Sequence, residues 1–319
     1  MSFGPARIKA SKETPMNEAP PNVAQPPQRP KTALIVEGGA MRGAWAAGVL
    51  GALHEMGHQH FDLVVAASSG ACTAAYFVAG MVQPGLEIWK QHIGDQKMLR
   101  KTNWLRFKPF IDLAYLIDNC FKKKVPLPPE AFDSPETVFK IVLTSCETGQ
   151  SVYFKANSQW IFEALRASSS LPFATLGYSF VCGIPYADGG ITDAIPLQHA
   201  IDEGATDITV VLTHGPEYRM ARTPRWICRL AYPWFPKAAE AWITRHVGYN
   251  GSLDLVNKPP KGIRLHVLRP MRPLDVTRFT DDGNRLRAAV TSGHDEAIEQ
   301  LHLEFEPAKA DTSSPERMQ

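Results

Sequence analysis

Short, nearly continuous apolar runs recur along the chain at 33–37, 63–67, 138–144, 208–212 and 263–268. An apolar run without polar alternation predicts a strand buried on both faces, as in a parallel sheet. Between the runs the spacing becomes helical. Trp45, Val49, Leu50, Leu53 and Met56 fall on one face of a helix starting near Ala44, and Gly57 is placed to end it. A second helix, 71–78, is rich in small residues and suited to close packing on the sheet. Further helices are predicted at 84–92, 159–167, 198–202 and 282–303, and 111–121 carries an apolar helical period. The segment 151–155 reads as a strand beside 138–144 across the turn Glu147-Thr148-Gly149-Gln150, with shorter strand signals at 178–181 and 184–186. Strands alternating with helices imply an α/β fold with a mainly parallel sheet.

The two ends break this pattern. Residues 1–30 are rich in Pro, Ala, Asn and Lys without an apolar period, and 306–319 are similarly polar; both read as disordered tails around a folded body at 31–305. The 319-residue chain suits one large domain, and a net charge of +2 argues against a dedicated nucleic-acid binder. Its five cysteines are scattered and never form Cys-x-x-Cys, which favours a reducing compartment over a disulfide framework or a zinc site. No run approaches the roughly 18 apolar residues of a membrane span, and no signal-peptide core is visible. A soluble, cytoplasmic protein is the expectation.

Three local motifs carry chemistry. The first strand runs into Gly38-Gly39-Ala40-Met41-Arg42-Gly43, a tight loop leading to a helix N-terminus, where amide groups favour negative charge. A phosphate or the oxyanion of an acyl intermediate fits there, but so does a βα turn with glycines for geometry alone. The spacing is not Gly-x-Gly-x-x-Gly and no Gly-Lys-Ser/Thr follows, which disfavours a nucleotide. After the second strand, Ala66-Ala67-Ser68-Ser69-Gly70 has the small residues a nucleophile elbow requires, though a serine N-cap would look the same. Asp188-Gly189-Gly190 follows a short strand and is by default a turn.

Together these motifs resemble the patatin-like phospholipase family, whose pattern is a Gly-Gly-Gly-x-Arg-Gly loop, a Gly-x-Ser-x-Gly elbow and an Asp-Gly-Gly/Ala block. The matching positions are Gly38, Gly39, Ala40, Arg42 and Gly43, then Ala66, Ser68 and Gly70, then Asp188, Gly189 and Gly190. Ser170-Leu171-Pro172 and the Gly183–Gly190 block are similar to the family as well. The resemblance implies a patatin-like three-layer α/β/α fold with a mainly parallel central sheet. It further implies a Ser68–Asp188 dyad that hydrolyses lipid acyl esters, with Ser68 as nucleophile and Asp188 as base. Gly38, Gly39, Ala40, Arg42 and Gly43 would form the oxyanion hole, with the amides of Gly39, Ala40 and Ser69 as donors. Arg42 would lie near that hole, or pack against Glu37 instead. The expected partner is a lipid or phospholipid; no cofactor or metal is implied. Ala40 and Ala66 replace family glycines, which leaves a weakly catalytic lipid- or phosphate-binding module as the alternative.

His266 and His294 are the candidates for completing a Ser–His–Asp triad, but neither lies in a motif. Two basic, aromatic stretches remain. Residues 97–124 include Trp104, Arg106, Phe107 and Lys108. Residues 219–245 interleave Trp226, Tyr232, Trp234, Phe235 and Trp242 with Arg222, Arg225, Arg229 and Lys237, with Pro233 and Pro236 breaking any single helix. Such segments either meet lipid headgroups, giving peripheral membrane contact, or pack their aromatics into the core and leave their charges solvated.

Overall fold

The computed structural model describes residues 29–94, 98, 110–133 and 136–305. The expected tails lie outside the described residues apart from Arg29 and Pro30, as do Trp104, Arg106, Phe107 and Lys108.

One sheet organises the molecule. Its strands are β1 (Thr32–Val36), β2 (Leu63–Ala67), β3 (Val138–Ser145), β4 (Ser151–Lys155), β5 (Ser179–Val181), β6 (Ile184–Asp188), β7 (Asp207–Val211) and β8 (Arg264–Leu268). The centre, β3-β2-β1-β7-β8, is parallel throughout, whereas β4 and β6 pair antiparallel with β3 and β5 extends β6. The absence of alternation in the apolar runs now has its reason. Leu34, Val36, Val64 and Ala66 enter one core cluster, while Ala33, Ile35, Leu63 and Val65 enter a second on the opposite face.

Helices cover both faces, as the three-layer expectation requires. They are α1 (Gly43–Glu55), α2 (Ser68–Val78), α3 (Val82–Glu87), α4 (Ile161–Ser168), α5 (Leu197–Asp202), α6 (Arg225–Ala231), α7 (Pro236–Asn257) and α8 (Gly283–Phe305). Helices α1, α2, α4 and α8 contribute to the first core cluster; α5 and α7 contribute to the second. Three elements depart from expectation. Ile88–His92 and Tyr115–Lys124 are π-helical, wider than the α-helix that apolar spacing suggests. The 22-residue α7 was not expected as one element. Its buried positions, among them Ala238, Ala239 and Ile243, include small residues that leave no clear apolar stripe.

The register around β3 brings distant residues together. Positions 140–142 of β3 pair with β2 on one edge and β4 on the other. Positions 143–144 keep β4 but pair with β6 instead of β2. Strand β6 therefore takes over the edge that β2 leaves. Val142 pairs with Ala67 and Leu143 pairs with Asp188, so the residue before Ser68 and the aspartate occupy successive rungs of one strand.

Candidate active site

Strand β2 ends at Ala67 and the chain turns directly into α2, with Ser68 at φ 53°. A non-glycine residue in this left-handed region is strained by its Cβ, and strain of this kind gathers at functional turns. The turn is wedged against the glycine loop. A Cβ on Gly70 would lie 2.5 Å from the Glu37 carbonyl oxygen and 2.7 Å from that of Val36. A Cβ on Gly38 would lie 2.9 Å from Ser68 Cβ. Only hydrogen at both positions lets the two segments interlock. The Ser68 N–H donates to Ser168 Oγ at 2.8 Å, and that hydroxyl donates to the Val142 carbonyl at 2.7 Å. Ser168 thus pins the turn to β3.

The Ser68 hydroxyl donates to Asp188 Oδ2 at 2.7 Å, and both residues are buried. The other carboxylate oxygen accepts from Gly190 N at 2.8 Å, while the Asp188 carbonyl accepts from Thr144 Oγ1 at 2.8 Å. The Gly190 amide thus holds the carboxylate and the Thr144 hydroxyl holds the backbone that carries it. Burial lifts the Asp188 carboxyl above the ordinary aspartate range; the Ser68 hydroxyl, the Arg245 charge and the Gly190 amide pull it back in part.

The glycine loop closes the other side. Gly39 N donates to Ser69 Oγ at 3.1 Å. The amides of Arg42 and Gly43 bond back to loop carbonyls, Arg42 N to Gly39 O at 3.1 Å and Gly43 N to Ala40 and Met41. Gly43 therefore provides room, since a Cβ there would lie 2.9 Å from Ser69 Oγ and from the Trp89 ring. Ala40 holds φ 50°, so an alanine adopts a glycine-like conformation in this loop. Ala40, Met41, Ser68 and Ser69 line an apolar pocket together with Ile88, Trp89, Ile111, Leu116 and Phe121. The Ser68 hydroxyl, bonded to a buried carboxylate, and the loop residues Ala40 and Met41 thus border one apolar pocket.

Arg42 is half-buried and, among the described residues, makes no ion pair with Glu37. The Glu37 carboxylate accepts instead from Thr213 N at 2.5 Å and Tyr249 Oη at 2.6 Å, with His214 Nδ1 at 3.3 Å. Burial would raise the Glu37 carboxyl, but these donors hold it below the ordinary range. The two histidines considered for a triad stand elsewhere. His266 Nε2 lies 3.0 Å from Asp207, and His294 contacts Glu55 and Asp295. The sequence reading missed Ser168, Thr144 and Arg245. The first had a visible trace in the serine run at 168–170; a lone threonine in a strand and an arginine in a mixed helix had none.

Residues 34–201 match the family described as patatin-like phospholipase, and residues 235–303 match a domain of unknown function, DUF6363. An uncharacterized protein of Escherichia coli (strain K12), YjjU, is 28% identical over 262 residues, covering 78% of this chain and 71% of that protein. Among solved structures, VipD from Legionella pneumophila is similar over 86% of this chain and 67% of its own, at 13% identity and a TM-score of 0.42.

Proposed function

Because the chain belongs to the patatin-like phospholipase family, we propose that it hydrolyses acyl esters of lipids through Ser68, with Asp188 as the base. The observation that carries this reading is the 2.7 Å bond to a buried carboxylate from the hydroxyl of Ser68, which lines an apolar pocket. Ser68 Oγ attacks the ester carbonyl carbon as its proton passes to Asp188 Oδ2. The tetrahedral intermediate collapses, the C–O bond to the alcohol breaks, and Asp188 returns the proton to the leaving oxygen. A water molecule then gives a proton to Asp188 and attacks the acyl-enzyme; the fatty acid leaves and Ser68 recovers its proton. A lifted carboxyl is a better base than a solvated aspartate, which offsets part of the mismatch with a hydroxyl.

The oxyanion is assigned to the loop amides. The Ser69 oxygen held at 3.1 Å by Gly39 N marks where an oxygen acceptor fits, and a substrate carbonyl oxygen takes its place. The amide of Ala40, which lines the same pocket as Ser68, is the second donor. Removing one such donor in other hydrolases costs roughly 2.7–4 kcal/mol.

The substrate reaches the site from a lipid surface. Phe173, Leu176, Phe180, Leu230 and Trp234 are all more than half exposed around one depression, with Trp234 at 82%. Arg222, Arg225, Arg229 and Lys237 are exposed in the same segment. Tyr232 is buried and Trp242 packs on the core, so this stretch divides between packing and display. Leu171 lines the acyl cavity and Phe173 the exposed depression, so one loop joins the two. Among the described residues no helix is long and apolar enough to cross a membrane, and contact is assigned to this patch, on the cytoplasmic side.

The activity is tested with a short-chain p-nitrophenyl ester on wild type, Ser68→Ala and Asp188→Asn. Equal rates in all three would leave the alternative, a lipid- or phosphate-binding module. Co-sedimentation with anionic liposomes at low and high salt tests the surface; no binding at either removes the membrane contact.

A further inference from the structure

Asp188 carries its charge away from water, yet its carboxylate oxygens meet only neutral donors, the Ser68 hydroxyl and the Gly190 amide. Across the same turn stands Arg245. Helix α7 packs on Gly189–Ile191. A Cβ on Gly248, one helical turn on from Arg245, would lie 3.7 Å from the Thr192 carbonyl oxygen, so α7 is seated at contact distance. A Cβ on Gly190 would lie 3.0 Å from Asp188 Oδ1 and 3.5 Å from Arg245 Nη2. Both atoms flank that one point and stand at most about 6.5 Å apart, close to the range over which an opposite charge favours an ionised carboxylate. Arg245 is half-buried, and its enclosed Nε–H has no hydrogen-bond partner.

An enclosed guanidinium with an idle N–H is unfavourable alone, and so is a buried carboxylate without a cation. Placed on two sides of one glycine, each offsets the cost of the other. The gap between them matters too. A guanidinium bonded directly to Asp188 would occupy its oxygens and hold the carboxyl far down, which makes a poor base. Across the gap the charge acts without taking a lone pair, and Oδ2 is left to the Ser68 hydroxyl. Three other groups bear on the aspartate. Burial pushes the Cys72 thiol of α2 up to about 12 and the Tyr232 phenol well above its ordinary value, so both are neutral when Asp188 is ionised. Arg278, between β8 and α8, favours the ionised form as well, but less than Arg245 does. Arg245 does not line the apolar pocket that Ser68 borders, so its effect runs through Asp188.

We propose that Arg245 is a positioning residue of this site: held by α7 across the gap that Gly190 leaves, its guanidinium keeps the buried Asp188 ionised to accept the Ser68 proton. The catalytic consequence rests on the hydrolase reading; the pairing of the two charges does not. Nucleophile and base both lie within residues 34–201, and the balancing cation comes from the segment at 235–303, which thereby takes part in the chemistry. Gly190 gains a second duty besides donating its amide, because a side chain there would stand between the charges.

The test uses the full chain, with Arg245→Gln and Arg245→Met to remove the charge and Arg245→Lys to keep it. The Asp188 carboxyl is titrated by NMR in protein carrying isotope-labelled aspartate, its signal identified as the one lost in Asp188→Asn. In parallel, the pH profile of kcat/KM is measured with a short-chain p-nitrophenyl ester. Loss of the charge is expected to raise the Asp188 midpoint by roughly one unit or more and to carry the acid limb of kcat/KM upward with it. Below the limb the rate falls about tenfold or more, and the loss shrinks as pH rises. Arg245→Lys is expected to recover part of the shift. An Asp188 midpoint that stays in place when the charge is removed overturns the proposal. A fall in kcat/KM by the same factor at every pH, with the limb unmoved, marks a merely structural arginine and overturns it too. Arg245→Met keeps the packing of the stem and supplies the readout if Arg245→Gln does not fold. If Ser68→Ala retained full ester turnover, the hydrolase reading would fall, while the Asp188 titration would still decide whether Arg245 holds its charge.

Discussion

Ser68 and Asp188 are each held against their own preference: the serine in a left-handed backbone, the aspartate as a charge away from water. Ser68→Ala is expected to lower ester turnover by roughly 10³-fold or more, by analogy with nucleophile removal elsewhere, as read from kcat/KM. Asp188→Asn keeps the shape, removes the base and is expected to lose activity to a similar degree. The lifted Asp188 carboxyl gives pH signatures of fixed sign. The base works only when deprotonated, so kcat/KM rises with pH through a limb centred above the ordinary aspartate value of 3.8. A folded-state value raised above the unfolded one favours the fold at low pH, and that contribution is lost as pH rises through it. Thermal melts should therefore show Asp188→Asn gaining on wild type as pH increases. Glu37 has the opposite sign. Its folded value is lowered, so its contribution is present above the unfolded value near 4.5 and is lost as pH falls. Tyr249→Phe removes one donor to this carboxylate. It is expected to cost about 1.5–3 kcal/mol at neutral pH and to move acid unfolding, followed by circular dichroism, to higher pH.

At the scale of elements, the site is two strand-to-helix turns locked together. β1 feeds the glycine loop and β2 feeds the serine turn, and Gly70 sits against the Val36 and Glu37 carbonyls. Gly70→Ala forces backbone against backbone, where no side chain can yield. A loss of about 1–3 kcal/mol is expected from overpacking of this kind, measured by urea denaturation, with activity falling alongside as the loop is pushed from Ser68. These turns were legible because their chemistry is written in small residues at fixed spacing after apolar runs. Helix α7 was not, because alanines, glycines and charges occupy its faces and its place is set by the turn after β6. The π-helical segments were equally silent, since apolar spacing alone does not separate them from an ordinary helix. Arg245 belongs with α7: its significance comes from where that helix lands.

At the scale of the whole molecule, the pairing of β6 on the edge vacated by β2 closes a span of 120 residues into one hydrogen bond. The sequence marked both ends of that bond, yet could not state the register, because antiparallel β6 depends on a short strand paired late in the chain. The same long-range wiring joins the C-terminal segment to the rest. Helix α8 lies along α1, with Gly48 against Val290 and Gly293 against Trp45, and α7 backs the aspartate turn. Residues 31–305 are accordingly expected to unfold in a single cooperative transition in urea. Two separated transitions would divide the segment at 235–303 from the body and weaken its assignment to the site. The most direct test of the central claim is mass-spectrometric mapping of the adduct formed with a fluorophosphonate probe. A single labelled residue, Ser68, is expected, with labelling abolished or sharply slowed in Asp188→Asn; an adduct on any other residue, or undiminished labelling of Ser68 without the aspartate, would contradict the Ser68–Asp188 assignment.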